Sequence, residues 1–435
     1  MGDENIKEIS VDEKLGLGKS LFYGFQSVIA LNLFLGAVVI AGMLKLDVKN
    51  TAIMITVSFF AVGIATCIQA GLFMRYPVVQ GVSFATIGAI VAIALRQDLA
   101  TAFGSLILGA VIISILGYFN IFSKMLKFIP PVVAGTVVVV IGISLMFTAF
   151  DNLIGSPGVA GKNVLLAFIV FSLILIFMVI GNLKLRISNI LSRGGVLYAI
   201  IITTVLASFM GITDFSSVTK ASWFSLPPFF PFGMPKFDLT SSLIFVFIYF
   251  IVMIETVGNW FAISFTAKST LTDKRIDKGI LGEGIGCFIS SLLSSAPVTS
   301  YATNCGVIAV TKVYSYWAAV GAGIIIIVLS FCPKLMFLIA SIPGAIMWGV
   351  LGVMSIMVLM SGLRSMHHIE LNDRNILIIG IPVFITVCVS LLPAEIVNSM
   401  PRLLSFLFSS SITVGALVAV AVNLIIPEAK EIEIN

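Results

Sequence analysis

The chain reads as an all-α polytopic membrane protein, fourteen transmembrane segments in a 7+7 inverted repeat, with segments 3 and 10 short and partly extended. Three observations lead there. Of its 435 residues, 59% are hydrophobic and 10% charged, against about 25% charged in an ordinary soluble domain. Apolar runs recur from Leu21 to Ile426, each long enough to cross a hydrocarbon core of about 30 Å as a helix. Two unusual segments in the first half have counterparts in the second.

In chain order, the first 16 residues are polar, and the first apolar run is too long for a signal-peptide h-region, so no cleaved leader is expected and the N-terminus is expected in the cytoplasm. Spans are expected at 19–44, 51–73, 78–95, 99–121, 130–150, 163–182 and 194–212. The second set is expected at 241–267, 279–294, 298–311, 314–332, 335–361, 375–392 and 405–426. With both termini cytoplasmic, most of the 25 Lys and Arg fall on the inside, in the sense of the positive-inside rule. The net charge of +5 comes from basic residues scattered singly between apolar runs. A nucleic-acid surface would gather them in a stripe, so no nucleic-acid partner is expected. The five cysteines lack disulfide or metal spacing and read as small packing residues.

Ser83-Phe84-Ala85-Thr86 with Gly88 echoes Ser300-Tyr301-Ala302-Thr303 with Gly306, and Ile129-Pro130 with Gly135 echoes Ile342-Pro343 with Gly349. Both offsets are near half the chain, and seven spans per half make the repeat inverted. The first echoed pair also forms the least helix-like spans. Pro77 to Thr86 and Pro297 to Asn304 mix proline with Gln, Ser, Thr and Asn, leaving backbone groups that hydrocarbon cannot satisfy. Short interrupted segments at matching places in two halves point to a transporter site near the midplane.

Glu255 lies inside the otherwise uncharged run Leu243 to Ala267, where insertion of an acidic residue costs roughly 2.5–3.5 kcal/mol. It either lines a pathway or pairs with a buried donor to lock two helices. Asn259 is four residues on and shares its helical face, either as a ligand or as a packing amide. Phe84 and Tyr301 hold equivalent places where an aromatic face could stack on a planar substrate, although 34 phenylalanines make packing the alternative for Phe84. Thr303-Asn304-Cys305-Gly306 places polar groups beside a glycine that permits close approach, or serves as polar glue between helices. His367 and His368 beside Glu370 and Asp373 read as a solvated loop, with no metal site expected. Gly282-Glu283-Gly284-Ile285-Gly286 lacks the strand and Lys of a phosphate loop and is assigned to helix packing. No cofactor is expected.

At these residues the chain resembles the nucleobase-ascorbate transporter family, the group containing bacterial uracil and xanthine permeases. The family signature, Gln, Glu or Pro followed by Asn-x-Gly-x4-Thr, corresponds here to Thr303-Asn304-Cys305-Gly306 continuing to Thr311-Lys312, and the eighth-span pattern to Glu255-Thr256-Val257-Gly258-Asn259. The resemblance implies a cytoplasmic tail at 1–18, a core domain at 19–123 and 238–333, a gate domain at 124–237 and 334–426, and a second cytoplasmic tail at 427–435. It implies that Glu255 hydrogen-bonds a nucleobase, that Thr303 adds a polar contact and that Phe84 lies against the ring, with Ser83, Tyr301, Ala302 and Asn304 beside them and Asn259 and Gln26 supporting the site or its coupling. Three departures remove titratable or strongly polar groups: Gln26-Ser27 replaces a Gln-His pair, Thr303 replaces Glu or Gln, and Asn259 replaces His or Asp. Glu255 is then the only acidic side chain expected deep in the core.

The expected function is secondary active import of a uracil-like or xanthine-like base across the cell membrane, coupled to a proton or Na+, by an elevator-type movement of core against gate, in a homodimer. The alternative is an anion transporter of the related sulfate or bicarbonate permease architecture, against which a midplane carboxylate argues by repulsion. An enzyme is not expected, because no nucleophile and base, paired acids or His cluster lies at membrane depth.

Overall fold

The computed structural model describes residues 8–125, 130–154, 160–181, 183, 188–301 and 303–426. Among these, eight helices are long and apolar enough to cross a membrane, or nine if one sharply bent pair counts as a span. Aspartates begin three of the long helices by accepting an N-terminal backbone N–H: Asp47 from Asn50 (3.0 Å), Asp98 from Thr101 (2.7 Å) and Asp238 from Ser241 (2.8 Å). Each satisfies a donor that the first helical turn leaves open.

Several expected spans are broken. Segment 19–44 is two helices, Leu17–Leu31 and Leu35–Met43, separated where Asn32 turns left-handed at φ 52°. Asparagine tolerates that region better than most residues do. Segment 335–361 was expected as one span and is not. Helix Pro333–Ala340 belongs with the preceding helix Tyr316–Ser330, from which it bends by 87°, and a new helix runs from Gly344 to Ser365. Pro343 explains the break, since proline lacks an N–H and disfavours helix in the residue before it. Segment 405–426 is divided at Ser410, whose hydroxyl caps Ser411–Ile425.

At the centre, β1 (Gln80–Val82) and β2 (Val298–Ser300) pair antiparallel, with Gln80 opposite Ser300 and Val82 opposite Val298. The pairing is extended by Ser83 N–H donating to Pro297 O (2.8 Å) and Tyr301 N–H to Val79 O (3.0 Å). Two threonines serve the edges: Gln80 N–H donates to Thr66 Oγ1 (3.0 Å) and Ser300 N–H to Thr256 Oγ1 (3.3 Å). Every strand residue is buried. The two proline-containing segments thus satisfy each other where helix is interrupted. Each strand is followed by a short helical piece, Phe84–Thr86 leading into Ile87–Arg96 on one side and Asn304–Thr311 on the other.

Helices Val48–Thr66, Leu239–Thr266 and Asp273–Leu292 pack on the strands, Leu99–Tyr118 packs on the last two of these, and Leu17–Leu31 and Tyr316–Ser330 cross beside them. A second set, Pro131–Ile154, Ala160–Gly181, Ser188–Phe209, Gly344–Ser365, Asp373–Ser390 and Ser411–Ile425, packs largely within itself. Leu239–Thr266 is the main bridge, touching Pro131–Ile154 and Gly344–Ser365.

Gly81 is required by this crossing, because a Cβ there would run into the ring of Tyr301, itself 2% exposed. Gly81→Ala is expected to destabilise the protein by about 1–3 kcal/mol through overpacking, read as a lower melting temperature of the purified protein. An unchanged melting temperature would contradict the tight crossing.

Candidate substrate site

Helix Leu239–Thr266 presents Glu255 and Thr256 to the strand crossing. Glu255 is 3% exposed, and Ser83, directly after β1, donates its hydroxyl to Glu255 Oε2 at 2.8 Å. Phe84 and Tyr301, both buried, face each other with ring centroids 6.1 Å apart at 36°. The Tyr301 phenol, the Ser300 hydroxyl and the Thr303 hydroxyl are buried without a hydrogen-bond partner. Such groups are costly to bury unpaired, so each is a donor that a polar ligand reaching it would satisfy. Thr303 also lines, with Ser361 and Arg364, a cavity of about 180 Å³.

The amides have a different part. Asn259 Nδ2 donates to Ser300 O (2.7 Å), while its Oδ1 accepts from Ser361 of helix Gly344–Ser365 (3.4 Å). Asn304 Nδ2 donates to Pro77 O (2.7 Å). Both side chains brace the extended segments. Gln26 lines a cleft with Tyr23, Ser27, Pro77 and Asn304. Ala302 lies outside the described residues.

Glu255 is not the only acid in the centre. Glu283 is wholly buried on helix Asp273–Leu292. Its Oε1 accepts from Thr256 Oγ1 (2.5 Å), and its Oε2 accepts from Gln80 Nε2 (2.8 Å) and Gln69 Nε2 (3.3 Å). The Thr256 hydroxyl is also 2.5 Å from that of Thr299 in β2. With one proton on Thr256, the consistent arrangement is Thr299 donating to Thr256 and Thr256 to Glu283. The glycines around Glu283 do pack, since a Cβ on Gly282 would strike Gln69, but they bring the carboxyl to the strands. An acid between apolar residues, the criterion that singled out Glu255, also applies to Glu283, and the neighbouring glycines obscured it. The three ion pairs among the described residues lie elsewhere. Both carboxyls are therefore held by neutral donors, as burial without a cation requires.

This is the geometry of a membrane carrier: interrupted segments meet at a buried polar centre between two sets of helices. Residues 18–395 match the family model described as the Permease family, that of the xanthine and uracil permeases, and the chain belongs to that family. It is 30% identical over 415 residues to the nucleobase transporter PlUacP of Paenibacillus larvae, covering 93% of this chain and 94% of that one. It is also 30% identical over 417 residues to the uric acid permease PucK of Bacillus subtilis, with the same coverage. Its fold is similar to the transmembrane domain of a cyanobacterium bicarbonate transporter, BicA, with a TM-score of 0.64 at 15% identity over 86% of this chain and 96% of that one. The protein is a multi-pass membrane transporter and not an enzyme.

Gln80→Leu removes a donor from a buried carboxyl and is expected to cost about 1–3 kcal/mol, seen as a lower melting temperature. Adding Glu283→Leu should restore part of the loss, because removing both partners of a buried hydrogen bond is milder than removing one. Additive losses in the double variant would contradict the network.

Proposed function

We propose that this transporter imports a nucleobase, uracil-like or xanthine-like, across the cell membrane, with its ring against Phe84 and Tyr301 and its polar edge on Glu255. The observation that carries this is a buried carboxyl fixed by Ser83 beside two facing aromatic rings and three unpartnered hydroxyls. Protonated, Glu255 donates to a ring carbonyl; ionised, it accepts from a ring N–H. Thr303 supplies a hydroxyl contact, Asn304 borders the site, and Asn259 and Gln26 support it. The names of the relatives, a nucleobase transporter and a uric acid permease, agree with this substrate class.

The architecture we propose is fourteen spans in two inverted halves, with a core at 19–123 and 238–333, a gate at 124–237 and 334–426, and both termini in the cytoplasm. Its support is the packing of the described helices into one set around the strands and another that packs largely within itself. The core moves against the gate in an elevator-type cycle, a homodimer being the working assembly. Coupling is to a proton, carried by Glu255 together with Glu283. An anion substrate fits poorly, because two carboxyls with no cationic partner among the described residues occupy the centre and, when ionised, repel negative charge.

Uptake of radiolabelled base into proteoliposomes, with uracil, xanthine, hypoxanthine, guanine, adenine and urate as competitors, tests the proposal. At least one base should accumulate and be displaced by its congeners. Glu255→Gln should weaken binding roughly tenfold to a hundredfold, the value of a hydrogen bond to a charged group of about 1.5–3 kcal/mol, and abolish pH-dependent accumulation. Substantial pH-dependent accumulation by Glu255→Gln would contradict the role given to Glu255, and sulfate or bicarbonate flux indifferent to all six bases would contradict the substrate class.

A further inference from the structure

The segment preceding helix Leu239–Thr266 carries an apolar surface that the transport site does not use. Trp223, Phe224, Leu226, Phe229, Met234 and Phe237 are each at least 68% exposed. The segment is nevertheless fastened down. Ser225 N–H donates to Phe331 O (3.1 Å), Lys334 N–H to Ser222 O (3.2 Å) and Lys236 N–H to Ala100 O (3.2 Å). Phe224 stacks on Phe331 at 5.8 Å, and the Lys334 ammonium sits 4.5 Å over the Trp223 ring. Lys236 pairs with Asp98 at 2.6 Å, and this ion pair, with the hydrogen bonds from Thr101, holds the Asp98 carboxyl down to about 2.

These contacts join three span ends: the start of Leu99–Tyr118, the end of Tyr316–Ser330 and the start of Leu239–Thr266. Three span ends in one place mark a membrane boundary. Helix Pro333–Ala340 turns 87° from the span before it at the same place.

We infer that residues 222–238, together with helix Pro333–Ala340, form a collar seated in the headgroup and acyl boundary of the bilayer. Trp concentrates at that depth, and segments with Trp, Phe and Leu on one face and Lys on the other lie about 5–10 Å into it. Lys236, paired with Asp98, and Lys334, over Trp223, put positive charge among the rings, as segments at the headgroup level do. A second copy of the chain is the less suitable occupant, because the core of a protein interface is depleted of lysine. Among the described residues, the hydrogen bonds, ion pair and ring stacking of the collar run to the helices around the strands, while its chain continues into Ser188–Phe209 on one side and Gly344–Ser365 on the other, both of the second set. The collar therefore holds, at the bilayer boundary, the two connections through which the chain passes between the sets.

Trp223 makes this measurable. It is 74% exposed, whereas Trp260 and Trp348 are buried and Trp317 is half-buried, so the difference in emission between the full-length protein and Trp223→Phe in proteoliposomes isolates its signal. The collar predicts that this difference signal loses most of its intensity to lipids spin-labelled near the headgroup, less to lipids labelled near the methyl terminus, and little to aqueous iodide. Strong iodide quenching without lipid quenching would place the segment in water and overturn the inference. Insensitivity to both, with cross-linking between copies through Phe229→Cys, would make it a protein interface and overturn it equally.

Discussion

The constraint on which the structure depends is that backbone polar groups at membrane depth have no water to turn to. Pro77 and Pro297 prevent the segments behind them from simply continuing as helix. What remains open is closed by pairing β1 with β2, and at the edges by the hydroxyls of Thr66 and Thr256. The pairing joins segments more than two hundred residues apart, and it sets Ser83 on Glu255 and Phe84 against Tyr301. A site assembled this way needs no loop inside the bilayer, only two short strands that complete each other.

The same constraint governs the carboxyls. An ion pair would have been the direct way to bury Glu255 and Glu283, but cations would compete for the acids with any ligand. Neutral donors hold them instead: Ser83 on one, and Thr256, Gln80 and Gln69 on the other. Thr256 is the joint between the two arrangements, since it follows Glu255 on the helix, reaches Glu283 through its hydroxyl and receives the β2 backbone. A shift of β2 relative to helix Leu239–Thr266 would be felt at Glu283 through the Thr299 and Thr256 hydroxyls.

Much of this was legible in the sequence, because the features concerned are local. Hydropathy marked most of the long helices, the proline and polar composition marked the two extended segments, and an acid in an apolar run marked Glu255. What escaped depends on contacts distant in sequence. Glu283 was hidden by glycines whose packing role is real but incomplete. For Asn259 the sequence leaves ligand and packing amide open and for Asn304 it suggests a ligand, and only the fold shows the carbonyls of Ser300 and Pro77 within their reach. The break at Pro343 was missed because hydrophobicity continues across it while helix does not.

The most direct test is an experimental structure of the protein with a transported base bound. The account predicts the ring between or against Phe84 and Tyr301, with an edge within hydrogen-bond distance of Glu255 and at least one of the Ser300, Tyr301 and Thr303 hydroxyls newly paired. A base bound away from Glu255, with those three hydroxyls still unpaired, would contradict it.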